Sequence, residues 1–156
     1  VKLYLLRHGE ASWSGDDISR PLTDRGKKDI YTQIVSNQSR LNPDVIWVSE
    51  YRRAQESAAI AADFLSIPVR TFPELSPDAS PADFYALLNK QGKGENILIV
   101  SHNPVLTILI KEFCGEPQNF IGMDTASLVA IKYEFPAASL GELLWISHVY
   151  EMTRVG

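Results

Sequence analysis

Arg7, His8, Gly9 and Glu10 follow directly on the apolar residues Tyr4, Leu5 and Leu6, and this abrupt change from hydrocarbon to reactive side chains is where the sequence first suggests chemistry. An apolar run closed by a glycine fits a buried strand of a parallel sheet covered on both faces, and ligands of such sheets gather at the carboxyl ends of the strands. Arginine offers a planar fork of donors to a phosphoryl group, histidine carries a ring nitrogen that can be a neutral nucleophile near pH 7, and Gly9 lets the backbone come close to a ligand. The combination points to phosphoryl chemistry. A structural histidine beside a surface arginine would leave the same triplet, so its weight depends on the rest of the chain.

Two later junctions repeat the arrangement. Val45–Val48 reads as a short strand that runs into SEYRRAQES, with Ser49 to Tyr51 as the turn and Arg52 and Arg53 entering a helix. A basic residue on the first turn of such a helix lies where the free amide N–H groups and the helix dipole already favour an anion. Ala54, Ala58, Ala61, Ala62 and Leu65 define the buried face, so one arginine can turn toward the sheet end while the other faces water. Asn96–Val100 is the strongest strand signal, and it stops at Ser101 and His102. Asn103 then suits a cap, Pro104 the first helical position, and Gly115 the stop of a helix through Val105, Leu106, Leu109, Ile110 and Phe113. His102 could hydrogen-bond this loop or face a ligand. The segment 11–22, rich in Ser, Gly, Asp and Pro, is a loop leaving the first strand's end. It makes Arg20 and Trp13 candidates for the rim of a site, while Asp16 and Asp17 read as a solvated turn.

The remaining elements must hold these groups together. Thr23 caps a helix running to about Gln38, with Ile30, Ile34 and Leu41 inward, and Asn42, Pro43 and Asp44 end it. Ile67–Phe72 is a short strand stopped by Pro73, Glu74 and Leu75. Ser80 and Pro81 open a helix with Phe84, Leu87 and Leu88 on its inner stripe, closed by Gly92 and Gly94. Ser127–Phe135 and Glu142–Tyr150 read as two strands, with Trp145 and His148 as sheet residues. The order βαβα(β)αβαββ predicts a three-layer α/β/α sandwich with a mostly parallel sheet and crossovers on both faces. Parallel strands put their carboxyl ends on one edge, where Arg7, His8, Arg53 and His102 can converge.

Composition narrows the classes. A chain of 156 residues fits a single domain over 1–156, and 45% hydrophobic with 22% charged residues is ordinary for a globular protein. The net charge of −4 argues against a nucleic-acid partner and requires any anion site to be a local basic cluster. No run approaches the roughly 20 apolar residues of a membrane span, and Val1 opens directly into the first strand, so neither a membrane partner nor a leader is expected and the cytoplasm is the expected location. Cys114 is the only cysteine, which excludes an internal disulfide, and its apolar neighbours predict a buried, inert thiol.

Four ordered segments together resemble the histidine phosphatase superfamily, also called phosphoglycerate-mutase-like, and within it the small SixA-type phosphohistidine phosphatases. LRHGE fits the Arg-His-Gly signature at Arg7, His8 and Gly9. RPLTDRG (Arg20–Gly26) looks like the Leu-Thr-x-x-Gly segment, SEYRRAQES fits Ser-x-x-x-Arg-Ala-x-x-Thr with Arg53 at the arginine and Ser57 in place of threonine, and VSHNP puts His102 at the second histidine. The short interval from Arg53 to His102 leaves no room for the helical lid that other members insert there.

The resemblance implies a six-stranded mixed sheet in the order 3-2-4-1-5-6 with strand five antiparallel. It also implies a reaction: neutral His8 attacks phosphorus, Arg7 and Arg53 hold the equatorial oxygens, His102 donates a further hydrogen bond, and water hydrolyses the phosphohistidine intermediate without metal or other cofactor. Related enzymes use a carboxylic acid after the second arginine, for which Glu74 is the nearest counterpart; a solvated turn residue is its other reading. An open, lidless pocket suits a histidine-phosphorylated partner protein. A small phosphoester, covered by Arg20 and Trp13, is the alternative substrate, and a phospholigand-binding module without turnover is a third possibility. A metal-dependent hydrolase using His8, His102, Glu10 and Asp16 lacks any pair of histidines at helical ligand spacing.

Overall fold

An uninterrupted apolar strand such as Ile97–Val100 buries side chains on both sides, so it must lie in a sheet that is covered twice. The computed structural model describes residues 1–155, which form β1 (Lys2–Arg7), α1 (Asp24–Ser36), β2 (Val45–Val48), α2 (Arg52–Leu65), β3 (Val69–Thr71), α3 (Pro81–Gln91), β4 (Ile97–Ser101), α4 (Val105–Phe113), β5 (Leu128–Lys132), β6 (Glu142–Ser147) and α5 (Val149–Val155). Short 3-10 turns lie at Asp17–Ser19 and Pro73–Leu75. The six strands form one sheet in the order β3-β2-β4-β1-β5-β6. The pairs β2/β3, β2/β4 and β1/β4 are parallel, and β5 runs antiparallel to both neighbours, as the resemblance implies.

Side-chain alternation divides the core between the two faces. Leu3, Leu5, Trp47, Ile97 and Ile99 pack with α3 and α4 through Phe84, Leu88, Leu106 and Phe113. Tyr4, Leu6, Ile46, Leu98 and Val100 pack on the other face with Ile30 and Ile34 of α1 and Ala54, Ala58 and Ala61 of α2. Each fully buried large aliphatic chain contributes on the order of 1.5–3 kcal/mol.

Local signals set the helix starts. The Thr23 hydroxyl accepts from the Gly26 N–H at 3.0 Å, and Ser80 and Asp83 form a reciprocal capping box with Pro81 in the first turn of α3. The fourth helix begins at Val105, one residue later than expected, and the Asn103 side chain, rather than capping at the start, accepts from the Thr107 N–H at 3.1 Å.

Three strands, β3, β5 and β6, are shorter than the sequence suggests. β3 is an exposed three-residue edge, and β5 covers only Leu128–Lys132 of the expected Ser127–Phe135. The largest correction is near the end of the chain: β6 stops at Ser147 rather than Tyr150, and Val149 and Tyr150 open α5 instead of continuing the strand. Ser147 pairs with Leu128, the first residue of β5, so beyond it there is no strand edge left to pair with. Trp145 is a sheet residue as expected, but His148 is not; its Nδ1 lies 2.7 Å from the Ser127 hydroxyl. Among the described residues, no helix is long and apolar enough to cross a membrane. Cys114 is half-buried rather than fully buried, and desolvation raises its thiol pKa to about 11, consistent with inertness.

Two contacts fix α1 against the sheet. Gln33, fully buried, donates from Nε2 to the carbonyls of Ala126 and Ser147, both at 2.8 Å, and accepts from the Ser147 hydroxyl. Gly9 and Gly26 meet backbone to backbone: a Cβ on Gly9 would fall 2.6 Å from the Gly26 carbonyl oxygen, and one on Gly26 would overlap the Glu10 backbone. The close approach that requires Gly9 is thus to α1 rather than to a ligand.

Candidate active site

The ends of β1, β4 and β2 lie level. Arg7 pairs with Ser101, and Val48 with Val100, so His8, His102 and Ser49 emerge side by side just beyond the pairing. Backbone bonds continue past the strands: the His8 N–H donates to the Ser101 carbonyl at 3.1 Å, Ser49 to Val100 at 3.3 Å, and Ala126 to the carbonyls of both Arg7 and His8 at 3.1 Å. Ala126 makes those bonds from a left-handed conformation, φ 62°, a local strain that the surrounding contacts must hold.

His8, Arg7, Arg53 and His102 line one shallow pocket of about 300 Å³ together with Arg20, Trp13 and Glu10. His8 is 7% exposed. Its Nδ1 lies 2.7 Å from the Gly9 carbonyl, which can only accept, so the ring proton sits on Nδ1 and Nε2 carries the lone pair. Arg53 Nε donates to that Nε2 at 3.3 Å. Burial, partly offset by the Gly9 carbonyl, lowers the His8 pKa to about 4, and Arg53, Arg7 and Arg20 push in the same direction. Burial likewise lowers His102 to about 2, with His8, Arg53 and Arg7 adding to it. Both imidazoles are neutral near pH 7. Their ring centres are 5.1 Å apart.

Of the two adjacent arginines, Arg53 is the buried one and Arg52 turns outward to pair with Glu56 at 3.0 Å. One turn further along α2, the Ser57 hydroxyl donates to the Arg53 carbonyl at 2.8 Å and accepts the Gly9 N–H at 3.1 Å, so the residue standing in for threonine links the helix to the His8 loop. Arg7 donates from Nη1 to the Met123 carbonyl at 2.9 Å, while its buried Nε has no partner. Arg20 sits at the rim, donating to the Ser12 carbonyl at 2.8 Å with its guanidinium 3.8 Å above the Trp13 ring.

Asp17 departs from its expected role. Its carboxylate, although more than half exposed, meets Arg53 Nη1 at 3.3 Å and Nη2 at 3.5 Å, and Arg20 at 3.1 Å. The Arg20 hydrogen bond, reinforced by Arg53, holds its pKa below the usual carboxylate range. The spacing Asp17-x-x-Arg20 carried a signal for this pairing. Glu74 is exposed on its 3-10 turn and does not line the pocket, although the neighbouring Leu75 carbonyl accepts from the Ser101 hydroxyl at 2.9 Å. Glu10 lines the pocket with its carboxylate accepting from the Thr23 hydroxyl at 2.7 Å. Among the described residues, no three His, Cys, Asp or Glu side chains cluster closely enough to hold a metal ion.

The pocket therefore presents an uncharged imidazole lone pair among three guanidinium groups, in a chain whose net charge is −4. Such a cluster has the charge and donors that an oxyanion requires, with an unprotonated ring nitrogen beside them.

Residues 3–76 match the model of the histidine phosphatase superfamily (branch 1). The phosphohistidine phosphatase SixA of Escherichia coli (strain K12) is 27% identical over 139 residues, covering 83% of each chain. A structure of the protein histidine phosphatase SixA complexed with tungstate superposes with a TM-score of 0.86 at 22% identity, over 97% of this chain and 99% of that one. The α-ribazole phosphatase of Shigella flexneri shares the fold at a TM-score of 0.75 and 22% identity, over 96% and 97%. These findings make the chain similar to the histidine phosphatase superfamily over residues 3–76 and to SixA over most of its length.

Proposed function

We propose that this protein is a metal-independent phosphatase that removes phosphate from phosphohistidine on a partner protein, with His8 Nε2 as the nucleophile. The observation that carries the reading is the His8 hydrogen-bond pattern. Nδ1 is committed to the Gly9 carbonyl, and the remaining nitrogen is neutral, unprotonated and held against Arg53. Nε2 attacks phosphorus in line as the substrate P–N bond breaks, and the departing imidazole takes a proton. Arg7 and Arg53 hold the equatorial oxygens, and His102 donates to the charge that develops on them. Water then breaks the His8–phosphorus bond, returning free imidazole and inorganic phosphate.

The substrate class is supported by the pocket and by the similarity to SixA. A shallow site rimmed by Trp13, which is 86% exposed, has few walls to enclose a small metabolite, whereas a protein surface brings its own. The expected acid, Glu74, stands outside the lining, and the carboxylate that does line the pocket, Glu10, accepts from the Thr23 hydroxyl; the P–N bond of phosphohistidine, which needs little acid catalysis, suits this arrangement. The test compares kcat/KM on a histidine-phosphorylated carrier protein with that on p-nitrophenyl phosphate and sugar phosphates, each with and without EDTA. Higher efficiency on the carrier protein, unaffected by EDTA, is expected. Higher efficiency on a sugar phosphate would assign a small-phosphoester phosphatase, phosphate binding without turnover a binding module, and zinc-reversible loss in EDTA a metal enzyme.

A further inference from the structure

Ser49 is fully buried at the end of β2 and has no place in the reaction described above. Its hydroxyl oxygen lies 2.8 Å from His102 Nε2 and also accepts the Tyr51 N–H at 3.2 Å. The amide therefore occupies one acceptor position, and the hydroxyl has a single proton to give. Among the described contacts, the one acceptor it meets is His102 Nε2. On the other side of the ring, His102 Nδ1 is buried without a hydrogen-bond partner.

The sheet order makes this asymmetry informative. His102 follows the β4 strand, which lies between β2, carrying Ser49, and β1, carrying His8. The two nitrogens of an imidazole point in nearly opposite directions, so a ring that gives Nε2 to the β2 side turns Nδ1 toward the β1 side, where the His8 ring lies 5.1 Å away. We infer that Ser49 is a positioning residue: its hydroxyl donates to His102 Nε2, so that the ring proton stays on Nδ1 and faces the oxyanion held beside His8. This rests on the phosphatase reading for its role in turnover. The hydrogen-bond assignment stands on geometry alone. Burial keeps His102 uncharged, and a neutral ring has one N–H; which nitrogen carries it decides whether His102 is a donor to the phosphoryl group or only an acceptor. If Nε2 held the proton, Nδ1 would place a lone pair against the substrate's oxygens and repel them.

The experiment is long-range ¹H–¹⁵N correlation on the full chain labelled with ¹⁵N-histidine, near pH 7, with His102 assigned by its loss in His102→Asn. A pyrrole-type Nδ1 and a pyridine-type Nε2 are expected, and addition of inorganic phosphate should shift the Nδ1 signal. In Ser49→Ala the His102 pattern should move toward the other tautomer or an average of the two. Its kcat on a histidine-phosphorylated carrier should fall roughly tenfold to a hundredfold, with KM within about twofold, less than the loss on deleting a donor outright. Protonation of His102 at Nε2 in the unsubstituted protein would overturn the inference. So would a tautomer and kcat both unchanged in Ser49→Ala. A protein inactive on every phosphorylated substrate, yet with Nδ1 protonated and responsive to phosphate, would defeat the proposed function and leave the Ser49 assignment in place.

Discussion

Arg53 donates from Nε to Nε2 of His8 across 3.3 Å, which sets the nitrogen proposed as nucleophile beside the guanidinium proposed to hold the substrate's oxygens. Arg53 reaches this position from the first turn of α2 and His8 from the end of β1, 45 residues apart.

Substitutions at these positions separate nucleophile, donor and clamp. His8→Ala removes the attacking atom, and neither turnover nor ³²P-labelled enzyme should remain. His102→Ala deletes one donor to the transition state and should lower kcat on the order of 10²–10³-fold. Arg53→Lys keeps the charge but not the planar fork, and a loss of about 10²-fold in kcat/KM is expected. Steady-state kinetics and acid-quench labelling measure all three, and full activity in His8→Ala would refute the mechanism.

The acid limb of kcat/KM should lie well below pH 6.5, the ordinary histidine value, because His8 stays neutral down to about 4. Stability should follow the same titration. Below about pH 6.5 the unfolded chain binds a proton that folded His8 refuses, so stability is full above that value, falls as the pH drops, and the His8 contribution is lost once the pH passes the folded value near 4. Thermal melts across this range test the second statement. A kinetic limb that tracks the pKa of the substrate's phosphate would reassign the first.

Asp17 competes with any oxyanion for the terminal nitrogens of Arg53. Asp17→Asn should therefore tighten competitive inhibition by inorganic phosphate, by at most about fivefold given how exposed the carboxylate is. A weaker inhibition constant in the variant would mean that Asp17 orients Arg53 rather than occupying it.

Ser57→Ala would strip the buried Gly9 N–H of its acceptor and should cost about 1–3 kcal/mol in denaturant unfolding. Gly9→Ala should cost more, because the added methyl meets the Gly26 carbonyl backbone, which has no rotamer to move aside. Equal stability of Gly9→Ala and the parent would contradict the packing described for α1.

The starts of α1 and α3 are readable in the sequence because each carries a capping residue, Thr23 or Ser80, whereas those of α2 and α4 have no side-chain cap and are marked by the apolar strand that precedes them. The alanine face of α2 implies only that one of Arg52 and Arg53 turns inward; the family resemblance is what assigns that place to Arg53, which is the buried one. Hydrophobic periodicity says nothing of Gln33, a polar residue fully buried in α1, whose partners Ala126 and Ser147 come from the far end of the chain. The same blindness hid Ser49, which meets His102 only through the neighbouring ends of β2 and β4. At 148–150 the alternation of His148, Val149 and Tyr150 mimics a strand, but pairing ends where Ser147 meets Leu128 and α5 begins at Val149.

The stacking of Arg20 on Trp13 gives the pocket its own optical reporter. Trp47 has no accessible surface and Trp145 is half-buried beneath Arg40, whereas the Trp13 indole stands in solvent with a single guanidinium across its face. An oxyanion that draws Arg20 off the ring changes the surroundings of that one fluorophore, so occupancy of the site can be followed by its emission without attaching a label.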